Sequence, residues 1–142
     1  LCAGAGDIEV SAGAKKAAYQ RGVKAEQVAA NALRLKGYKI LEQRYKTRGG
    51  EIDLIARKGD MLAFVEVKAH RSEEEALYAV NTRTRRRIES AARHYLAEHE
   101  EFAGLDMRFD VMVVPPGVLQ GGLNLLGAVS VLHLDNAWFD GQ

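Results

Sequence analysis

The clearest alternation of apolar and polar residues lies between residues 49 and 68. Two short stretches with a period of two, residues 51–56 and 61–68, flank a turn signal at Lys58-Gly59. Strands alternate in this way because successive side chains point to opposite faces of a sheet. The pattern therefore predicts a β-hairpin, and this hairpin carries three acids and a lysine.

The turn also predicts which residues of the hairpin face each other. A turn centred within Lys58-Gly59 places Glu51 opposite Glu66 and Asp53 opposite Phe64. All three acids then share one face with a lysine, and the other face is left for the apolar core. Facing carboxylates repel by up to roughly 1 kcal/mol per pair, so a cation must offset the repulsion. The lysine offsets part of it, and Mg²⁺ or Mn²⁺ would offset the rest, because these ions prefer carboxylate oxygens.

An exposed strand with ordinary ion pairs is the simpler explanation for an isolated Glu-x-Lys, since short motifs match by accident. Here, however, Glu66 lies in a strand that is otherwise apolar, and Asp53 stands one strand away. Charged residues almost never occupy an apolar strand without a partner. The two acids therefore favour a partly buried site over a solvated face.

Two longer stretches have the periodicity of amphipathic helices. Residues 15–36 carry one apolar stripe, and Gly37 follows where a helix C-terminus favours glycine. The acidic run at residues 73–75 predicts the start of a helix or the cap of a loop, and a second long helix begins at Thr82 and ends by Gly104. Helices therefore flank the hairpin on both sides along the chain.

The remaining stretches complete one domain. Residues 38–45 and 107–114 predict strands, and residues 128–134 predict a last edge strand before a C-terminal tail. Residues 1–14 are rich in Gly and Ala without a period, which predicts a flexible N-terminus. We therefore expect a single α/β domain over residues 15–142, with helices flanking a mixed sheet.

Composition narrows the function classes. The 142 residues carry 20 Lys and Arg against 19 Asp and Glu, so nucleic-acid binding must come from local basic patches. One cysteine, Cys2, leaves no internal disulfide and no thiolate zinc cluster. No apolar run approaches the ~18 residues of a membrane span, and no signal-peptide core is present, so we expect a cytoplasmic protein without membrane contact.

The most unusual stretch is the basic run that opens the second long helix. Its cations are Arg83, Arg85, Arg86 and Arg87. Cations in a first helical turn oppose the helix dipole, at typically ~0.3–1 kcal/mol each. A bound phosphate would reverse that cost, because helix N-termini and guanidinium groups both bind phosphate. We predict that this run contacts nucleic acid; a solvated face paired with residues 73–75 or Glu89 is the alternative.

The stretch before the hairpin adds three cations: Arg44 near the end of the predicted first strand, and Lys46 and Arg48 in the loop that follows. Each could contact a phosphate, with Arg48 the one that we predict to do so, although solvated loop cations are the more common case.

An Asp followed, after a turn, by Glu-x-Lys on the next strand resembles the catalytic core of the restriction-endonuclease-like superfamily, which includes archaeal Holliday junction resolvases. Within this superfamily, the sequence more closely resembles one branch, the YraN-like uncharacterised bacterial family. Four blocks carry this resemblance in family order: GEIDLIA at residues 50–56, FVEVK at 64–68, RFDV at 108–111 and HLDNAW at 133–138.

The resemblance implies a restriction-endonuclease-like mixed β-sheet flanked by helices and a metal-dependent endonuclease that hydrolyses DNA phosphodiester bonds. The implied catalytic residues are Asp53, Glu66 and Lys68. Asp53 and Glu66, with the Val67 backbone carbonyl, would hold Mg²⁺ or Mn²⁺. Lys68 would orient the attacking water and stabilise the transition state.

Three further acids need an interpretation. Glu26 is an ordinary helix glutamate by its spacing, but it matches a first-helix Glu that points toward the metal site in resolvase-like proteins, so we expect it there. Glu51 would serve as another ligand or position Lys68. Asp110 lies in an apolar strand near Arg108, and a paired structural acid is its simplest interpretation.

The resemblance favours DNA as the partner, branched or flapped, and resolvase-like enzymes act as two-fold dimers. Two other classes stay open: a non-catalytic or partner-activated nucleic-acid-binding protein of the same fold, and a protein-interaction subunit whose acids are structural. The catalytic set favours the enzyme, because carboxylates without a metal would repel a phosphate. The sequence leaves open DNA versus RNA, a homodimer and an activating protein partner.

Overall fold

The computed structural model describes residues 3–69, 72–119 and 131–139. In these residues the elements follow one another as α1 (Ala3–Leu35), β1 (Lys39–Lys46), β2 (Glu51–Lys58), β3 (Met61–Lys68), α2 (Glu73–Ala79), α3 (Thr82–Glu98), β4 (Asp106–Val113) and β5 (Leu132–Trp138). Short 3₁₀ turns follow α3 and β4, at Glu100–Phe102 and Pro116–Leu119.

The five strands form one mixed sheet in the order β1-β2-β3-β4-β5. The first three strands are antiparallel neighbours, β3 and β4 are parallel, and β5 is antiparallel to β4. Parallel neighbours need a crossover connection, and α2 and α3 provide it. The sheet is flanked by three helices, which confirms the predicted α/β class and agrees with a restriction-endonuclease-like fold.

Both faces of the central strands, β2 and β3, are buried. Leu54 and Val65 pack with α1 on one face, whereas Ile55 and Phe64 pack with α3 on the other. The prediction that one face of the hairpin gathers charge is therefore wrong. A strand covered by helices on both faces needs apolar residues at nearly every position, so the acids are confined to one end of the hairpin.

The hairpin forms as predicted, but the predicted register is wrong, because the turn lies one residue further along the chain. Gly59 and Asp60 form the turn, and Phe64 lies opposite Ile55 rather than opposite Asp53. Gly59 adopts a φ of 59°, a left-handed conformation that suits a tight hairpin turn. A turn shifted by one residue changes every partner by two, so the two glutamates of the hairpin are not paired as predicted either.

Helix α1 is longer than its apolar stripe. It begins at Ala3, well before residue 15, and residues 12–16 are exposed. The four alanines of residues 3–14 favour helix and the three glycines oppose it, so helix propensity alone does not account for the extension. Flexibility of residues 1–14 stays a prediction. The predicted C-terminus is confirmed, since Gly37 has a φ of 90° and Tyr38 donates its N–H to the Leu33 carbonyl. No helix in the described ranges is long and apolar enough to cross a bilayer.

Two boundaries near the C-terminus differ from expectation. Helix α3 ends at Glu98, and the last strand is Leu132–Trp138, so residues predicted to form a tail belong to the sheet. Trp138 is buried and stacks on Phe109 with 5.0 Å between ring centroids, which anchors the end of β5. Residues 128–130, the start of the predicted edge strand, lie outside the described part of the chain.

Candidate active site

Asp53 is held where the pairing of β2 with β3 ends. The paired residues stop at Leu54, and the Asp53 Oδ2 atom instead accepts a hydrogen bond from the Val67 N–H at 2.8 Å. On either side of it, Ile52 and Leu54 pack in opposite core clusters, so the alternation of β2 breaks at Asp53. This break fixes the carboxylate against the neighbouring strand.

Asp53 lies close to two other acids, Glu66 from β3 and Glu26 from α1, and each raises the cost of ionising its neighbour. Burial, followed by the contact with Asp53, raises the pKa of Glu66 to about 10, against the opposing effect of Lys68. Burial and the charge of Asp53 raise the pKa of Glu26 to about 7, against the opposing effect of Arg44.

Lys68 lies at the same end of the hairpin. Its Nζ atom is 3.9 Å from Glu66 Oε1, and both side chains are largely buried. The two residues line a pocket of about 170 Å³ between the hairpin and the start of α3. The lining residues are Glu51, Glu66, Lys68, Thr84, Arg87 and Ile88. The fold therefore brings Glu66 and Lys68 of the predicted catalytic set to one member of the basic run, Arg87.

A glycine makes this approach of α3 possible. Gly50 is buried at the turn before β2, and a Cβ atom placed on it would overlap the Arg87 backbone carbonyl. Only glycine permits backbone segments to come so close. The turn itself is closed by a hydrogen bond of 2.8 Å from the Thr47 N–H to the Gly50 carbonyl. Gly50 thus sets the distance between the acids and the basic helix.

A second pocket of about 210 Å³ lies on the α1 side of the acids. Its lining includes Tyr19, Glu26, Arg44, Lys46, Glu51 and Asp53. Arg44 Nε forms an ion pair with Glu26 Oε2 at 3.0 Å, and Arg44 adopts a φ of 56°. Left-handed backbone is rare for a residue other than glycine, and such conformations cluster at functional sites. Tyr19 was not among the predicted residues, because an exposed helical tyrosine gives no signal in the sequence.

The members of the basic run differ in their surroundings. Arg83, Arg86 and Arg87 are exposed on α3, and Arg48 is exposed in the turn before β2; of these four, Arg87 lines the first pocket. Arg85 instead donates to the Val80 carbonyl at 3.0 Å and lies over the Trp138 ring. Contact of these residues with nucleic acid stays a prediction, and the geometry around Arg85 shows that it also supports the fold.

Asp110 is the structural acid that the sequence suggested. It is fully buried and accepts hydrogen bonds from the Arg108 guanidinium, His133 Nε2 and the Asn136 N–H. Burial alone would raise the pKa of Asp110, but these donors together lower it. The network joins β4 to β5 and explains two of the four sequence blocks by packing rather than by chemistry.

The acids fit a hard divalent cation, although they do not form a closed cage. Among the residues that the structure describes, no three His, Cys, Asp or Glu side chains are grouped so as to hold a metal by themselves. The candidate donors are Asp53 and the two acids beside it, Glu66 and Glu26. Mg²⁺ usually binds one or two carboxylates and keeps waters or substrate phosphates as its other ligands, so this donor set suits it.

Comparison with known proteins decides the family. The sequence model of "Uncharacterised protein family UPF0102" matches residues 25–114. The chain belongs to the UPF0102 family. The matched residues contain Glu26, the whole hairpin, α3 and Asp110, so the UPF0102 region includes the acids and the basic run, while Tyr19 lies before it.

Relatives within UPF0102 are similar over most of their length. A UPF0102 protein of Mesorhizobium japonicum is 52% identical over 102 residues, which cover 72% of this chain and 82% of the relative. One of Bradyrhizobium diazoefficiens is 45% identical over 113 residues, covering 80% and 85%. One of Brucella canis is 51% identical over 102 residues, covering 72% and 81%.

Proposed function

We propose that this UPF0102 protein is a metal-dependent endonuclease that hydrolyses DNA phosphodiester bonds, with branched or flapped DNA as the expected substrate. The observation that supports it most is the pocket that Glu66 and Lys68 share with Arg87. The partly buried Glu66 and its neighbour Glu51 attract a cation, and the nearby lysine and arginine attract a phosphate. One small pocket therefore offers both halves of a phosphodiesterase site. Such a substrate implies a cytoplasmic location.

Asp53 and Glu66, with the Val67 carbonyl, are the proposed ligands of Mg²⁺ or Mn²⁺, and Glu26 is the proposed additional acid. When bound, such an ion supplies a more acidic water and neutralises charge on the phosphate. The Val67 N–H fixes one oxygen of Asp53, which leaves the other oxygen for a ligand or a proton. Glu51 lines both pockets and is available to either, as a further acid or as a partner that positions Lys68.

Lys68 and Arg87 handle the substrate in this proposal. Lys68 presents a positioned charge to the phosphate from beside Glu66, and it stabilises the charge that develops during hydrolysis. Arg87 and Thr84, at the start of α3, hold the phosphate backbone. Contacts of this kind position the DNA without reading its sequence, so we expect selection by DNA shape.

The experiment is cleavage of labelled single-stranded, duplex, flapped and four-way DNA with Mg²⁺ or Mn²⁺. Wild type should cut at least one of these substrates, and Asp53→Asn should abolish the cutting. Glu74→Gln, an exposed acid on α2, is the matched control and should cut like wild type. Wild-type protein that cuts none of the four substrates with either metal would contradict the proposal.

A non-catalytic nucleic-acid-binding protein is the second candidate. It is favoured by the cations that already accompany the acids, since Arg44 is paired with Glu26 and Lys68 lies beside Glu66. Salt-sensitive binding of DNA without turnover would identify this alternative, including a form that a protein partner activates.

A further inference from the structure

The pocket on the α1 side has three residues without a part in the proposed hydrolysis, namely Tyr19, Arg44 and Lys46. Its volume of about 210 Å³ is below the roughly 300–1,000 Å³ of pockets that enclose drug-sized ligands. The pocket is therefore suited to one unit of a chain rather than to a whole small molecule. Asp53 and Glu26 also line it, so an occupant would lie directly beside the acids.

Tyr19 and Arg44 contact each other at this pocket in two ways. The Arg44 guanidinium carbon lies 4.8 Å from the centroid of the Tyr19 ring, and Arg44 Nη1 donates to the Tyr19 hydroxyl at 2.8 Å. The second contact of Arg44, with Glu26, holds its guanidinium against the acids. Tyr19 is nevertheless 59% exposed, so its ring remains available to a ligand.

An aromatic ring beside cations matches the chemistry of a nucleotide. Bases stack on aromatic side chains and on guanidinium planes, and phosphates bind lysine and arginine. We propose that Tyr19, Arg44 and Lys46 form a subsite for an unpaired nucleotide next to the scissile phosphate. The base stacks on Tyr19, and its phosphate binds Lys46 and Arg44. The subsite deepens the proposed function and rests on it for the position of the cut.

The stacking requirement selects unpaired DNA. Inside a duplex both faces of each base are covered by its neighbours, so a protein ring reaches a base only in a single strand, a flap or an opened junction. Arg48, Arg87 and Lys68 would bind the backbone of any strand, but Tyr19 adds affinity only where a base is free. The proposal therefore predicts a preference for single-stranded segments that depends on an aromatic ring.

The test is equilibrium binding of a short labelled single strand and of the matched duplex, with Mg²⁺ present. All proteins carry Lys68→Ala, which keeps every acid and is expected to slow turnover. On this background Tyr19→Leu removes the ring, Tyr19→Phe removes only the hydroxyl, and Tyr78→Leu changes a tyrosine that is 87% exposed and lines neither pocket. Wild-type cleavage is measured separately.

Tyr19→Leu should weaken single-strand binding roughly 5- to 150-fold, the range for loss of one stacked base, and should leave duplex binding unchanged. Tyr19→Phe and Tyr78→Leu should bind both DNAs like the background protein. Equal losses in Tyr19→Leu and Tyr19→Phe would overturn the subsite, because the hydroxyl would then act only by holding Arg44. Unchanged single-strand affinity, or equal loss for both DNAs, would overturn it too. Failure of wild type to cut would contradict only the proposed hydrolysis.

Discussion

At the scale of single residues, two acids around Asp53 have pKa values well above their ordinary range. Glu66 and Glu26 have raised pKa values in the folded state, near 10 and 7 against an ordinary 4.5. The folded protein therefore binds these protons more tightly than the unfolded chain does. Their contribution to stability is complete below pH 4.5 and is lost as pH rises toward the two folded values.

Metal-free protein should consequently lose stability through these groups as pH rises from 4.5 toward 10. Glu66→Gln, which cannot ionise, should flatten this dependence. The measurement is the midpoint of thermal unfolding against pH in the presence of a chelator, for wild type and variant. Parallel pH profiles for the two proteins would contradict the assignment of a bound proton to Glu66.

Asp110 differs from these acids, because hydrogen-bond donors stabilise its charged form and lower its pKa. Asp110→Asn leaves the Arg108 guanidinium without its buried partner and should lower the free energy of unfolding by about 3–5 kcal/mol. Asp135→Asn is the control: Asp135 lies 4.0 Å from the same arginine but is 71% exposed, and its loss should change stability by only about 0–1 kcal/mol. Urea unfolding of both variants measures the difference, and equal losses would contradict the account.

At the scale of elements, the hairpin shows what the sequence could and could not reveal. The alternation and the turn residues predicted both strands. The Glu-x-Lys motif, with Asp53 one strand away, predicted that their acids form a site. Two adjacent turn positions were compatible with that pattern, and the observed pairing of Lys58 with Met61 selects the turn at Gly59-Asp60. The broken alternation at Asp53 arises from packing of Ile52 and Leu54 on opposite faces, which no local signal records.

The contact between the turn before β2 and α3 gives a prediction at the same scale. Gly50→Ala forces a Cβ atom into the Arg87 carbonyl, so it should lower the free energy of unfolding by about 1–3 kcal/mol, as overpacking does. Gly22→Ala, in α1 with no atom near the added carbon, should instead raise it by about 0.5–1 kcal/mol. Chemical denaturation measures both changes. A neutral Gly50→Ala would show that α3 is not held this closely.

At the scale of the whole molecule, the candidate site exists only because three distant segments meet. Helix α1 supplies Glu26, the hairpin supplies the catalytic set, and α3 supplies Arg87. The sequence resemblance indicated each group separately, but the two pockets and the shared position of Glu51 depend on tertiary packing. The net charge of +1 gives no indication of this site, because the charges of the acids and of the basic start of α3 cancel in the sum.

The central claim is that this arrangement cuts DNA, and Lys68 tests it most directly because its loss leaves every acid in place. The measurement is the single-turnover cleavage rate with saturating protein and Mg²⁺ for wild type, Lys68→Ala and Lys39→Ala, the last an exposed lysine on β1. We expect Lys68→Ala to bind the DNA yet cut it about 10²–10³ times more slowly, with Lys39→Ala like wild type. Equal cleavage rates in wild type and Lys68→Ala would contradict the account.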